Sequence, residues 1–457
     1  MAKNILFLLV DQWPADCFGH RDSVIKTPNI DRLAKEGSLF TNAFTTCPLC
    51  SPARGALFTG MWHTQSQMLD NLNVGYSQQE PLDSSQKTWL DEAVKSGYHV
   101  GYYGKWHLGA NGPIIRGVQR HPDEIETKTA YYTPGVSTYN YQSCYDTYQK
   151  DNEFLEKGIA PFYGNTDSLI ENSEPIVIAN QGVEFIKEYA TLGIKNPFLL
   201  TVSINDPHFP HYLPESFIEE CGEFDIELPA NIDDDFKDKP WFQNKSWWPS
   251  MDTSKLTISD WKEVVKYAYM HRMLVDKALG KVIDELERTG LLEETTIVFT
   301  GDHGDMCGAH NRFDKGPYYY DEVWRIPLII REPNKQPIIN NELISSLDVS
   351  ASVFDMVGSN HVNKVIGNSL YDKIGTNEST ELNNEVYGMY DLYNGMSFKV
   401  RAIRDTTHKY IYNAQAINEF YDMINDPYEL NNLMENNQLI ENSELMTIKI
   451  KLVEKLF

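Results

Sequence analysis

Largely apolar runs recur along the chain at residues 4–10, 197–204, 296–300 and 326–330. Runs of this length and composition are typical of strands that are covered on both faces of a sheet. A further run at 99–103 predicts another strand. In open α/β sheets, ligands bind beyond the carboxyl ends of the strands. The polar residues that follow these runs are therefore the first candidates for a functional site.

Segments of helical period lie between the predicted strands. Residues 27–37 begin with Thr-Pro and end with Gly, a combination of helix start and stop signals. The longest predicted helix, at 257–289, carries an apolar stripe and is followed by Gly290. Shorter helices are predicted at 86–96, 176–190 and 347–357. Together these elements predict an α/β protein with helices packed on a sheet.

The remaining stretches lack such periodicity. Residues 110–175 and 212–255 are predicted to be loop insertions, of which the first walls a pocket. Trp241, Trp247 and Trp248 in the second either pack over the core or stack on a sugar or aryl group. An acidic, Asn-rich linker at 373–385 precedes alternating segments at 397–403 and 409–412 and a helix at 439–456. These segments predict a small antiparallel sheet with a terminal helix.

The chain is acidic, with a formal net charge of −25. This charge disfavours nucleic acid or an anionic membrane as a partner of the general surface, so an anionic substrate needs a local cluster of cations. The six Cys (17, 47, 50, 144, 221, 307) have no disulfide-framework spacing, which fits a reducing compartment. No signal-peptide cleavage site follows the first apolar run, and no run is long enough to span a membrane. We therefore expect a cytoplasmic protein.

The segment around Cys50 has the features of an anion site. Residues 53–59 predict a short helix that Gly60 ends, so Cys50 lies where free backbone N–H groups and the helix dipole favour a negative charge. A nucleophile at this position would face an anionic group. Two other interpretations are a buried structural cysteine and a redox or zinc pair formed with Cys47.

Acids and imidazoles follow the predicted strands repeatedly. Gly104 and Gly109 bracket Lys105 and His107, which point the same way if this segment is extended. Two cations on one side suit an anion, although a solvated strand end is the alternative. The other polar residues at or shortly after strand ends are Asp11, Gln12, His208, Asp302, His303 and Lys315.

The pattern Cys50-x-Pro-x-Arg54 followed by Thr59-Gly60 resembles the signature of the type I sulfatases, in the alkaline phosphatase superfamily. Most of the chain is similar to that family, including Thr27 to Ala34, Gly104 to Gly109, Pro207-His208, Thr300 to Gly304 and Phe420 to Leu433. The resemblance implies a large mixed sheet between helices in residues 1–375. It also implies a smaller α+β domain with a four-stranded antiparallel sheet in residues 376–457.

The same resemblance implies the composition of the active site. A dedicated maturation enzyme would oxidise Cys50 to formylglycine, whose hydrated aldehyde attacks the sulfate. A divalent cation would be held by Asp11, Gln12, Cys50, Asp302 and His303. The catalytic residues would be Cys50, Arg54, Lys105, His107, His208 and Lys315, and the substrate would contact Lys105, His208, Lys315 and Asn71.

Two features of the site point to different substrates. Gln12 and His303 are similar to residues of phosphonate monoester hydrolases and choline sulfatases, whereas Lys105 and His107 are similar to the sulfate-binding pair of ordinary sulfatases. We expect a hydrolase of small-molecule or glycan sulfate esters, with phosphonate or phosphate diesters as the alternative substrates and a non-catalytic binding protein as the third hypothesis. The imidazole makes Mn²⁺ a rival to Ca²⁺. The oligomeric state stays open, a homo-oligomer included.

Overall fold

The structure is a computed structural model of the chain. It describes residues 3–109, 112–116, 163–245, 252–376, 383–435, 439 and 442–457. Most of the predicted insertion at 110–175, together with Trp247 and Trp248, lies outside these residues. Within them, no helix combines the length and the apolar character that crossing a membrane requires.

Thirteen strands form three sheets in the described part of the chain. They are β1 (Asn4–Val10), β2 (Ser38–Phe44), β3 (His99–Gly104), β4 (Tyr163–Thr166), β5 (Phe198–Ile204), β6 (His211–Pro214), β7 (Thr295–Gly301), β8 (Arg325–Arg331), β9 (Ile338–Ser345), β10 (Val386–Tyr393), β11 (Met396–Arg404), β12 (His408–Asn413) and β13 (Glu419–Asp422).

The described α-helices surround the largest sheet and close the carboxyl-terminal part of the chain. They are α1 (Pro28–Glu36), α2 (Cys50–Thr59), α3 (His63–Ser66), α4 (Trp89–Lys95), α5 (Glu174–Leu192), α6 (Glu215–Cys221), α7 (Ile258–Arg288), α8 (Asp321–Trp324), α9 (Ser346–Met356) and α10 (Ser443–Leu456).

The large sheet has seven strands in the order β3-β5-β1-β7-β8-β2-β9, with β8 antiparallel to both of its neighbours. Strand β1 is central and fully buried, and its side chains alternate between two cores. Leu6, Leu8 and Val10 pack with α1, α5 and α7 on one face, whereas Ile5, Phe7 and Leu9 pack with α2, α4 and α9 on the other. The predicted mixed sheet between helices is confirmed.

The strand order brings the polar strand ends together. Strands β5, β1 and β7 are parallel neighbours, and Val10 pairs with Ile204 on one side and with Gly301 on the other. Asp11 and Asp302 therefore leave adjacent strands at the same level. Strand β3 is parallel to β5, with Gly104 opposite Ser203, so Lys105 emerges at this edge as well. The carboxyl edge of the sheet thus collects residues that are far apart in the sequence.

The carboxyl-terminal part forms the predicted antiparallel sheet, in the order β10-β11-β12-β13, covered by α10. Its other face packs on the large sheet through an apolar cluster that includes Phe44, Trp324, Tyr390 and Tyr421. The boundary between residues 375 and 376 stays a prediction. The small sheet is positioned against the loops that carry the site.

Several elements differ from their predicted bounds. Helix α2 begins at Cys50 rather than at residue 53. Pro52 is compatible with this earlier start, because N–H groups in the first helical turn have no partner within the helix. Strands β2 and β9 were not predicted, and β4 and β6 form a separate parallel pair where loops were expected. The Trp241 indole is 56% exposed and donates to the Gln415 carbonyl at 3.2 Å, so this ring packs only in part.

Candidate active site

Cys50 is the first residue of α2 and is 1% exposed. Its Sγ lies 3.2 Å from His303 Nε2 and 3.8 Å from Asp11 Oδ1. The thiol is therefore not packed in hydrocarbon, which excludes the interpretation as a structural cysteine. Cys47, by contrast, packs in an apolar cluster, and burial holds the pKa of its thiol well above the usual value.

Four potential metal ligands surround one point at the carboxyl edge of the sheet. One donor atom each of Asp11, Cys50, Asp302 and His303 lies within 4.8 Å of all the others. His303 Nε2 is 3.8 Å from both Asp11 Oδ1 and Asp302 Oδ1. Two carboxylates, a thiol and an imidazole in a buried space repel or desolvate one another unless a cation lies among them. This donor set fits a divalent metal ion.

The surroundings of His303 also favour coordination. The Gly304 carbonyl accepts a hydrogen bond from His303 Nδ1 at 2.8 Å, which leaves the Nε2 lone pair facing the other three donors. A backbone partner on the second ring nitrogen is typical of metal-binding histidines. Without a metal, burial disfavours the imidazolium, but the charges of Asp302 and Cys50 raise the pKa of His303 to about 9. A cation bound at Nε2 would take the place of that proton.

Gln12 lies beside this group. Its positive φ of 63° turns the chain directly after β1, so that its backbone N–H donates to Asp302 Oδ1 at 3.2 Å. Its side-chain Oε1 accepts from Lys315 Nζ at 3.0 Å, and its buried Nε2 has no hydrogen-bond partner among the described residues. A metal ion would therefore share Oε1 with the Lys315 ammonium group.

Arg54 bridges the carboxylates of Asp11 and Asp302. The side chains of Arg54, Asp11 and Asp302 are 0% exposed. The guanidinium donates to Asp302 Oδ2 at 2.8 Å and to Asp11 Oδ2 at 3.2 Å, and Nη1 donates to the Lys105 carbonyl at 2.8 Å. A planar donor group of this kind can hold several acceptors at once, so Arg54 fixes the relative position of both acids.

Burial and charge act against each other on these groups. Burial alone would raise the pKa of Asp11, but Lys105, His208 and Arg54 hold it well below the usual value. Burial and Asp11 would likewise raise the pKa of the Cys50 thiol, but Lys105, Lys315 and His303 lower it well below the usual value. Burial, together with the charge of Asp11, raises the pKa of Asp302 to about 6. The site therefore favours negative charge at positions 11 and 50.

Lys105 and His107 both reach the site, but not as an extended segment. Strand β3 ends at Gly104 and His107 has a positive φ of 58°, so the expected period-two alternation is wrong here. Lys105 Nζ donates to Asp11 Oδ2 at 2.6 Å. Burial lowers the pKa of His107, whose Nε2 bonds to the Leu72 carbonyl at 3.0 Å. His107 is therefore a neutral imidazole rather than the second cation of the sequence prediction.

Lys315 and His208 form the other side of the site. Lys315 Nζ lies 3.0 Å from His208 Nε2 and 2.8 Å from Asp314 Oδ1. The Phe209 carbonyl accepts from His208 Nδ1 at 2.7 Å, so Nε2 carries the lone pair that faces the Lys315 ammonium group. An ammonium group and an imidazole thus lie next to each other near Cys50.

Asn71 lies next to the start of α2, and its side-chain oxygen is already hydrogen-bonded there. It is 5% exposed, and its Oδ1 accepts from the Ser51 backbone N–H at 2.9 Å. Sequence reasoning missed the supporting residues Ser51, Asp70 and Ser203. The Ser203 Oγ accepts from Arg54 Nη1 at 3.0 Å and donates to the Lys105 carbonyl at 2.7 Å. A serine or aspartate of this kind has no distinguishing sequence signal, because its role depends on which distant backbone groups it meets.

Comparison with known proteins adds an independent finding. A sequence profile described as "Sulfatase" matches residues 3–359, and one described as "N-sulphoglucosamine sulphohydrolase, C-terminal" matches residues 308–455. The chain is 30% identical over 444 residues to the "Uncharacterized sulfatase YidJ" of Escherichia coli, covering 95% of this chain and 83% of that protein. It is 27% identical over 442 residues to a choline-sulfatase of Rhizobium meliloti, covering 95% and 82%.

Solved structures with a similar fold are also found. The phosphonate monoester hydrolase of Silicibacter pomeroyi superimposes with a TM-score of 0.76 at 20% identity, covering 100% of this chain and 96% of that chain. At this identity the likeness concerns the fold alone.

Proposed function

The chain belongs to the sulfatase family of the alkaline phosphatase superfamily, and we propose that it hydrolyses sulfate monoesters with the side chain at position 50 as the nucleophile. The observation that carries the proposal is the meeting of Asp11, Cys50, Asp302 and His303 around one point, with Lys105 and Lys315 on either side. The four donors would hold a metal ion, and the ammonium groups of Lys105 and Lys315 would hold an anionic ester.

Two groups would complete this site. Asp11, Asp302, His303, the position 50 side chain and Gln12 would hold a divalent ion, with Ca²⁺ favoured by the carboxylates and Mn²⁺ by the imidazole. When bound, the metal supplies Lewis acidity, and formylglycine made from Cys50 supplies a hydroxyl nucleophile. A formylglycine-generating enzyme is the implied maturation partner.

The residues of the chain would act on the substrate from three sides. Lys105, His208 and Lys315 would bind the sulfuryl oxygens and stabilise the charge that develops on them. Arg54 would hold both carboxylates in place, and Asp302 could accept a proton from the nucleophile. His107, a buried neutral imidazole close to position 50, would act as a base when sulfate is released.

A phosphonate or phosphate diester is the second candidate substrate. His303 among the four donors and Gln12 beside them favour it, since both are similar to residues of phosphonate monoester hydrolases. We rank sulfate first because Lys105 and His107 would lie nearer to the transferred group. The proposed substrate is therefore a small-molecule or glycan sulfate ester.

Parallel assays decide between these candidates. The metal-loaded protein, with Cys50 converted, is assayed with 4-nitrophenyl sulfate, a phenyl phosphonate monoester and bis(4-nitrophenyl) phosphate. We expect the highest kcat/KM for the sulfate. A dominant rate with the phosphonate or the diester would overturn the first candidate, and no rate with any of them would contradict the proposed activity.

Metal binding can be measured without activity. We expect Ca²⁺ or Mn²⁺ to raise the Tm of the unmodified protein, because a ligand at one hundred times its Kd stabilises the folded state by about 2.7 kcal/mol. Asp302→Asn should abolish most of this shift. Asp305→Asn is the matched control, since Asp305 is equally buried and close in sequence but pairs with Arg272. An unchanged metal response in Asp302→Asn would contradict the proposed ligand set.

Lys315, or His208 beside it, could also protonate the leaving alcohol, and the choice of leaving group tests this role for Lys315. Lys315→Met should reduce kcat/KM for an alkyl sulfate by about 10²- to 10⁴-fold, the usual range for loss of general acid catalysis. The loss with 4-nitrophenyl sulfate should be much smaller, because nitrophenolate needs no proton to leave. Equal losses with both substrates would assign Lys315 to binding only.

The free cysteines support a cytoplasmic location as part of the proposal. Cys17, Cys47, Cys221 and Cys307 are all unpaired in the described structure. The net charge of −25 supports neither nucleic acid nor an anionic membrane as a partner.

A further inference from the structure

The turn between β10 and β11 lies against the loop that follows the nucleophile helix. Asn394 and Gly395 have positive φ values of 52° and 82°, as in the two-residue hairpin turns that favour Asn-Gly. Both N–H groups donate to one carboxylate, Asn394 N to Asp70 Oδ1 at 3.0 Å and Gly395 N to Asp70 Oδ2 at 2.7 Å. The turn thus forms an anion-binding concavity for a residue of the large domain.

Asp70 is 1% exposed, and its carboxylate also accepts from the N–H of Asn71 at 2.8 Å. Burying a carboxylate is costly unless hydrogen bonds compensate it, and here three backbone donors do so. A shorter uncharged residue could not reach all three donors. The carboxylate therefore connects the small sheet to the loop at 70–72.

That loop holds the segment next to the nucleophile. Asn71 Oδ1 accepts from Ser51 N at 2.9 Å, and Leu72 N donates to Ser51 Oγ at 3.1 Å. Ser51 Oγ in turn donates to the His107 carbonyl at 2.8 Å, and the Leu72 carbonyl bonds to His107 Nε2 at 3.0 Å. A continuous set of hydrogen bonds therefore runs from the turn through Asp70 to Ser51 and His107.

The residue before the turn contacts the opposite side of the site. Tyr393 is 2% exposed, and its hydroxyl donates to the Lys315 carbonyl at 3.1 Å. The turn and the residue before it therefore contact both the loop at 70–72 and the backbone of Lys315. This gives the small sheet a role beyond covering the apolar core.

We propose that Asp70 is a positioning residue, through which the Asn394–Gly395 turn holds Ser51 and His107 against position 50. Its effect on turnover rests on the proposed function, whereas its effect on the geometry around Cys50 does not. Asp70 itself contacts none of the proposed metal ligands, so it would act only through the loop.

Kinetics test the positioning role. Asp70→Ala should lower kcat about 10- to 100-fold with KM nearly unchanged, because a small displacement of catalytic groups is costly while substrate contacts remain. Asp70→Asn keeps one acceptor oxygen and should recover part of that loss. The matched control is Asp348→Ala, which removes another buried carboxylate that accepts from Ser345 N, Asn368 N and Asn383 Nδ2. It should lower Tm but leave kcat unchanged.

Labelling of the unmodified protein gives a second readout that needs no turnover. Iodoacetamide should alkylate Cys50 faster in Asp70→Ala than in the wild type, since the loop that packs beside α2 is released, while Cys307 in the same sample reacts at its wild-type rate. If Asp70→Ala matches Asp348→Ala in both kcat and Cys50 labelling, the proposal is wrong. Absence of sulfate hydrolysis in the wild type would refute the proposed function alone. If Asp70→Ala does not fold, Asp70→Asn decides both readouts.

Discussion

Cys50→Ala is expected to lower kcat/KM for 4-nitrophenyl sulfate by about 10⁴-fold or more, the scale seen when a covalent nucleophile is removed. Position 50 lies within reach of Asp11, His303 and the proposed metal, and alanine offers no group that could attack the ester. The folded state should persist, because the substitution removes one buried sulfur and leaves both carboxylates that accept from Arg54, those of Asp11 and Asp302, in place.

Cys47→Ala is the matched control. Cys47 precedes the same helix and is as buried as Cys50, but it packs in an apolar cluster. Its loss should leave kcat/KM within a factor of about two, as for a small core truncation away from the reacting groups. Intact mass of the Cys50 peptide completes the experiment. An active wild type that retains the thiol would refute formylglycine as the nucleophile.

Arg54→Met is expected to lower the free energy of unfolding by about 3–5 kcal/mol in the absence of metal, because it leaves two buried carboxylates without their shared partner. The pKa of Asp302, already raised by burial and by Asp11, should rise further without the guanidinium. A carboxyl group whose pKa is higher in the folded state contributes stability at low pH that is lost as pH rises. The stability of the variant should therefore decline more steeply than that of the wild type between about pH 4 and 7.

Two further variants separate charge from geometry. Arg54→Lys restores one positive charge but cannot reach both acids and the Lys105 carbonyl, so it should recover stability only in part. Arg272→Met removes another fully buried arginine, paired with Asp305 at 3.2 Å, and should cost similar stability while keeping the Tm response to metal. A wild-type metal response and wild-type kcat in Arg54→Met would show that Arg54 does not organise the site.

The sequence determined the identity and local setting of the site residues. The apolar run 4–10 predicts a buried strand, and the polar residue that follows it must leave the sheet at the carboxyl edge. The same reasoning placed Asp302 and His303, and the Gly60 stop signal placed the end of α2. These predictions succeed because they depend on periodicity and on backbone conformations that a few consecutive residues impose.

Only the tertiary structure decided which strand ends are neighbours. Nothing in residues 4–10 or 295–301 states that β1 and β7 pair in parallel with Val10 opposite Gly301, yet this register is what sets Asp11 beside Asp302. Asp70 and Asn394, which a hydrogen bond joins at the turn, are 324 positions apart in the chain. Contacts between residues so far apart in the chain depend on how whole sheets pack. No local sequence pattern therefore predicts which distant backbone groups a buried carboxylate or guanidinium will meet.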